Sequence, residues 1–353
     1  MRSAVKLAGL FALLGSIAGA SNLVAQGTPP NTPTVTVGGV VYAQYLYQLK
    51  DTASHINNFD ITRSYINVIG KFPSGLLTRV TADIYRSADN SLAYRLKYAY
   101  AAFTPEGSAL TFKLGEIHTP LLDWEEALWD YRMQGQMALE RGGYVSSSDF
   151  GLGVDGNWKK DLVNMQVGIY NGENYNRGVG DQRKDAMGRV SVRVLDTDDG
   201  SKVGGLRLTG YGQVGKPTGG GIRDRWLGMV SYRSKMLTLA GEYARTKDRQ
   251  DAPPAPATPQ LTDINGQILS FFGVLHIPNS RAAIIGRVDL TDPNKDVPNN
   301  KQTRFIGGVS YQLTPALRLL ADIDNVGFEG DAPLPPAVYA TKTQGLFQAQ
   351  YVF

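Results

Sequence analysis

The chain has 353 residues, 36 lysines and arginines against 32 aspartates and glutamates, 42% apolar and 19% charged. That balance excludes a disordered chain, and a net charge of +4 without a basic block excludes a nucleic-acid footprint. The absence of cysteine excludes disulfides, thiol catalysis and thiolate metal sites, and a single apolar run near span length excludes a bundle of membrane-crossing helices.

That run lies at the N-terminus. Arg2 and Lys6 precede the apolar stretch Leu7 to Ile17, and small residues follow it. The pattern predicts an export signal over residues 1–25, cleaved after Ala20 or after Ala25. Residues 26–33 (QGTPPNTP) read as a short periplasmic lead-in, and residues 34–353 as one domain.

From Thr34 onward the sequence alternates with period two, the mark of strands with two unlike faces. The segments run Thr34–Leu49, Asp60–Phe72, Leu76–Arg86, Ala93–Thr104, Ala109–Ile117, Phe150–Lys159, Leu162–Asn171 and Met187–Leu195. They continue at Val203–Val214, Arg225–Arg233, Met236–Arg245, Ile264–His276, Ala282–Leu290, Thr303–Leu313, Leu317–Val326 and Thr343–Phe353. Removing 25 residues from 353 leaves about 328. At about 20 residues per membrane-crossing strand and its connection, that length also predicts sixteen strands. Tight turns such as Pro73-Ser74-Gly75 and Pro278-Asn279-Ser280 alternate with long connections such as His118–Asp149. The predicted fold is all-β: a transmembrane, antiparallel, up-and-down barrel with short turns on one rim and long loops on the other. A β-sandwich would need an apolar inward face, whereas the faces opposite the aromatic ones carry arginine, lysine, asparagine, threonine and aspartate.

Those polar faces predict a water-filled lumen. Its basic wall residues are Arg63, Arg79, Arg95, Lys97, Lys113, Arg189, Arg193, Arg207, Arg304 and Arg318, sharing the wall with Asp83, Asp289, Asp322 and Asp324. The fourth segment sets Arg95 and Lys97 against Tyr94, Leu96, Tyr98 and Tyr100, which assigns all four of the latter to the lipid side. Rings of arginine and lysine favour anions in pores. Wall arginines also hold loops in place, and residue by residue that second reading carries more weight. In the His118–Asp149 connection, Asp123 to Leu139 loses the alternation and is rich in helix formers, with Trp124, Leu128 and Tyr131 at helical spacing. A long loop with a helix after the fifth strand is placed to fold inward as a constriction. Its Trp124, Glu125, Glu126, Arg132 and Arg141 are the candidate constriction residues. Whether its arginines meet anions or its acids pair with the wall stays open.

The closing segment places Phe353, Tyr351, Ala349 and Phe347 on one face. A terminal phenylalanine with aromatics at alternate positions resembles the last strand of bacterial outer-membrane barrels, which implies recognition of Phe353 by the barrel assembly machinery. Three further pieces stand in order: Phe59 to Asn67 (FDITRSYIN) with Gly70-Lys71, Lys113 to Pro120 (KLGEIHTP) followed by Trp124-Glu125-Glu126, and Val167 to Gly172 (VGIYNG). Together they resemble the phosphate-selective porin O/P family across roughly residues 34–353. The resemblance implies a homotrimer of sixteen-stranded barrels in the bacterial outer membrane, surrounded by lipid, through which small hydrophilic anions diffuse past basic residues. One position departs from the family pattern: Thr62 stands where an arginine often precedes Arg63. The expected function is therefore a passive, anion-leaning porin, with phosphate preference an open refinement.

The alternatives are a structural or adhesion barrel with a plugged lumen, and an outer-membrane hydrolase. His55, His118 and His276 have no serine partner at a recognisable spacing, and no GxSxG, HExxH or Walker motif occurs. No catalytic residue, cofactor, metal or nucleic acid is expected.

Overall fold

The computed structural model describes residues 32–50, 56–175, 181–252, 256–329 and 343–353; the predicted export signal and residues 26–31 of the lead-in lie outside the described residues. Sixteen strands follow in chain order. The first eight are β1 (Thr34–Lys50), β2 (Asn57–Lys71), β3 (Leu76–Arg86), β4 (Leu92–Phe103), β5 (Leu110–His118), β6 (Ser148–Trp158), β7 (Val163–Tyr170) and β8 (Asp185–Leu195). The others are β9 (Gly205–Gly215), β10 (Gly221–Arg233), β11 (Leu237–Gln250), β12 (Gln260–His276), β13 (Ala282–Asp292), β14 (Gln302–Thr314), β15 (Leu317–Phe328) and β16 (Thr343–Val352). Each pairs antiparallel with its sequence neighbours, and β1 pairs with β16 from Val40–Val352 to Gln48–Gln344, closing the barrel. Closure leaves no sheet edge, as a chain in lipid requires.

Alternation decides the two faces. Val80, Leu114, Leu152, Trp226, Phe271, Phe305 and Phe347 are exposed on the outside, where a lipid would cover them. The turn from β2 to β3 shows why one rim is tight. Gly75 sits at φ +80°, and a Cβ there would stand 2.3 Å from the Thr104 carbonyl oxygen. Only glycine takes that conformation at that distance.

Two of the register shifts, both beside basic wall residues, reset the alternation. One extra residue, Thr62, lies between the Tyr42–Arg63 and Ala43–Ile61 pairs of β1 and β2. The other, Lys97, lies between the Thr81–Tyr98 and Ala82–Leu96 pairs of β3 and β4. A bulge turns every following side chain to the other face. Tyr94 and Leu96 therefore point outward, but Tyr98 and Tyr100 point into the barrel, contrary to the assignment that strict alternation gives.

The apolar core is the segment between β5 and β6, not the wall. Its helices are α1 (Leu122–Trp129) and α2 (Ala138–Arg141), and Leu121, Leu122, Trp124, Leu128, Trp129, Tyr131, Met133, Met137 and Leu139 are almost wholly buried inside the barrel. The wall answers in kind: Leu227, Met229, Ala240, Ala244, Ile268, Phe272 and Ile285 face inward against this segment. The inner faces of β10–β13 are thus partly apolar, where a purely aqueous lumen would have made them polar.

Candidate functional site

The inward segment is held by a row of donors from the wall to its backbone carbonyls. Arg189 of β8 donates to Pro120 (2.9 Å), Arg233 of β10 to Ala127 (2.6 Å) and Arg225 of β10 to Tyr144 (3.0 Å). Arg287 of β13 donates to Gln136 (2.9 Å), Arg318 of β15 to Asp130 (2.7 Å) and Gln348 of β16 to Met133 (2.8 Å). The Tyr131 hydroxyl meets Ser310 of β14 at 2.6 Å. A loop cannot form a sheet ladder, so its carbonyls need side-chain donors, and arginine offers five on one rigid fork. The attachments run from β8 to β16 and leave the arc β2–β5 uncovered by them.

The predicted wall cations accordingly separate by what they touch. Arg189 and Arg318 hold the inward segment, and Arg189 also lies 4.1 Å over the Trp124 ring. Arg207 lies 5.4 Å from the same ring and donates to Gly204 and Asp161 at the short-turn rim. Arg193 pairs with Asp196 at that rim, and Lys113 pairs with Asp155. Arg304 and the segment's Arg141 share Asp324, at 2.5 and 3.5 Å, and line a cavity of about 190 Å³.

The remaining four, Arg63, Arg79, Arg95 and Lys97, converge on β2–β4. Arg63 and Arg95 share one carboxylate, Asp83, at 3.0 and 3.5 Å. Arg79 donates to Asn67 and Thr81, and Lys97 to the Tyr65 hydroxyl; neither has a carboxylate within ion-pair distance among the described residues. Cations thus outnumber the carboxylates within ion-pair distance of them at Arg79 and Lys97.

Of the constriction candidates, Trp124 is the plug's anchor on β8 and β9. Arg132 bridges Glu126 (2.7 Å) and Glu140 (3.1 Å), so it knits the segment together. Glu125 faces Glu242 of β11; both are buried, and neither carboxylate receives another donor among the described residues. Burial, then the Glu242 charge, raises the Glu125 carboxyl well above the usual glutamate range. Glu126 is raised by burial against the pull of Arg132.

Sequence reasoning missed Arg225, Arg233 and Arg287 as inward residues. The signal was clear for one: Arg287 has the parity of Asp289, already assigned to the wall, and pairs with it at 2.8 Å. For Arg225 and Arg233 the signal was weaker, because they share their face of β10 with Leu227 and Met229 as well as Ser231. The His118 ring is stacked on Tyr98 at 4.0 Å, and its Nε2 lies 3.2 Å from Arg79. Among the described residues no three histidines or acids gather in a metal-holding group.

No protein-family model matches the chain, and no curated protein matches it. Solved structures do. The anion-selective porin from Comamonas acidovorans superposes with a TM-score of 0.64 at 14% identity, over 91% of this chain and 100% of that one. OmpF of Salmonella typhi, in complex with daunomycin, gives 0.66 at 12% identity, over 90% and 97%. OmpT of Vibrio cholerae, an outer-membrane protein in its trimer form, gives 0.61 at 10% identity, over 92% and 100%. At these identities the likeness is one of fold: the closed sixteen-stranded barrel of bacterial outer-membrane porins.

Proposed function

We propose that this chain is a bacterial outer-membrane porin through which small hydrophilic anions diffuse passively. The single observation that carries the anion preference is the β2–β4 arc, where Arg79 and Lys97 face the interior with no carboxylate within ion-pair distance among the described residues. Elsewhere most inward cations are neutralised by acids or consumed by holding the inward segment. A cation in a confined, low-dielectric surrounding without a counter-charge is costly, and a passing anion relieves that cost. The porin fold, the apolar outer belt and the inward segment support the channel reading, and the trimer form of Vibrio cholerae OmpT supports a homotrimer. Export by the residue 1–25 signal and recognition of Phe353 by the assembly machinery belong to the same proposal. Phosphate preference does not, because Arg63 and Arg95 already share the Asp83 carboxylate and the cations lie on one arc of the wall rather than in a ring around the lumen.

A planar bilayer holding the refolded protein tests this directly. Under a potassium chloride gradient the reversal potential takes the chloride side. A potassium-side reversal overturns the anion preference, and silence at all voltages overturns the channel.

A further inference from the structure

The bulge at Lys97 does more than reset a face. It brings Tyr98 and Tyr100 into the barrel beside the basic arc, and with them the cations and rings form one unbroken ladder. Starting toward the long-loop rim, Arg95 lies 5.2 Å from the Tyr85 ring and 4.5 Å from the Tyr175 ring. Lys97 follows, 5.8 Å from Tyr175, 4.6 Å from Tyr65 and 5.6 Å from Tyr98. Arg79 lies 4.7 Å over Tyr98, whose ring is stacked on His118, and His118 meets Tyr100 edge-on at 5.7 Å. Lys113, 5.9 Å from Tyr100, ends the series toward the short-turn rim. Along β4 this ladder runs from Arg95 to the level of Ala102, the partner of Lys113. At about 3.4 Å per residue that is about 24 Å along the strand, or about 18 Å of bilayer depth at a tilt of about 40°.

An inorganic anion needs only the cations, and aromatic rings between them serve it no better than aliphatic side chains would. A ladder that alternates cation and ring at each step suits a ligand carrying both a negative charge and a π face. Resting on the proposed anion channel, we infer that the β2–β5 wall is a path for aromatic carboxylates, which stack on one tyrosine while the carboxylate meets the neighbouring cation. Tyr98 is itself covered, by Arg79 and by the stacked His118 ring, so the rings open to a ligand are Tyr85 and Tyr175 toward the long-loop rim and Tyr100 beyond the covered stretch. At those rings aromatic stacking and charge-assisted hydrogen bonds act together, and having more than one such step lets the ligand leave as readily as it enters.

The experiment is block of the chloride current by three sodium salts in turn: benzoate, cyclohexanecarboxylate and phosphate. Cyclohexanecarboxylate matches benzoate in charge and nearly in size but has no π face. Benzoate is expected to reach half-block at a concentration at least fivefold below either of the others. Tyr175→Leu is expected to move the benzoate value toward that of cyclohexanecarboxylate, while Tyr243→Leu, on the outer face, leaves it where it was. A chloride-selective channel in which benzoate and cyclohexanecarboxylate block alike overturns the aromatic path and leaves the anion porin standing. A potassium-selective channel overturns both. Should the protein not conduct, saturation-transfer NMR of benzoate against the detergent-refolded barrel decides the matter, and the absence of transfer overturns the site.

Discussion

Lys97 shows how much one residue sets here. It is a cation almost wholly buried, it lacks a carboxylate within ion-pair distance among the described residues, and it is the extra residue of the bulge that turns two tyrosines inward. Lys97→Gln should lower the chloride-to-potassium permeability ratio about twofold, and Asp83→Asn, which removes the negative charge beside Arg63 and Arg95, should raise it by a similar factor. Reversal potentials under one fixed gradient read both changes, and equal values for the two variants would remove the arc from the selectivity. Glu125 makes a prediction of a different kind. Its raised carboxyl means that the folded protein holds a proton that the unfolded chain has released, so stability falls as pH rises above the ordinary glutamate value near 4.5. The docking of α1 should therefore loosen toward alkaline pH, seen as growing current noise, and Glu125→Gln should flatten that dependence.

At the scale of elements, the inward segment is a small apolar core enclosed by strands. Trp124 is one of its attachments, buried and flanked by Arg189 and Arg207. Trp124→Ala should cost about 3–5 kcal/mol of local packing, releasing α1 while leaving the hydrogen-bonded wall intact. The expected readout is larger and noisier single-channel current with an unchanged thermal unfolding midpoint of the barrel; a lowered midpoint with unchanged conductance would place Trp124 in the wall's stability instead. This segment was legible as an interruption of the alternation. Its helix, however, is shorter than the helix-forming composition of Asp123 to Leu139 implies: α1 ends at Trp129, with Asp130 in the left-handed region at φ 55°. Tyr131, placed on the same helical stripe by spacing, lies just beyond that end and reaches Ser310 of β14 instead.

Across the whole molecule the charges form two populations. One is tied up in ion pairs and in bonds to the inward segment; the other, Arg79 and Lys97 on β3 and β4, faces the interior with no carboxylate within ion-pair distance among the described residues. A field from a few fixed charges is screened over about 10 Å at 0.1 M salt and about 3 Å at 1 M. Anion selectivity should consequently be greater across a gradient near 0.1 M than across one near 1 M. A ratio that does not change with salt would mean selection by direct contact at the narrowest point rather than by the field of the arc.

The sequence by itself determined the strand number, the order of strands, the two rims and the place where the chain leaves the wall. Period-two alternation and turn residues are local properties, and closure of an up-and-down sheet adds no choice of topology. What only the tertiary structure decided is which arginines remain available to a solute and which face the fourth strand's tyrosines take. An arginine that holds a carbonyl 106 residues away in the chain has the same sequence signature as one that meets an anion. A bulge is likewise set by the register between two strands, here Thr81 and Ala82 against Tyr98 and Leu96, and alternation within either strand alone carries no trace of it.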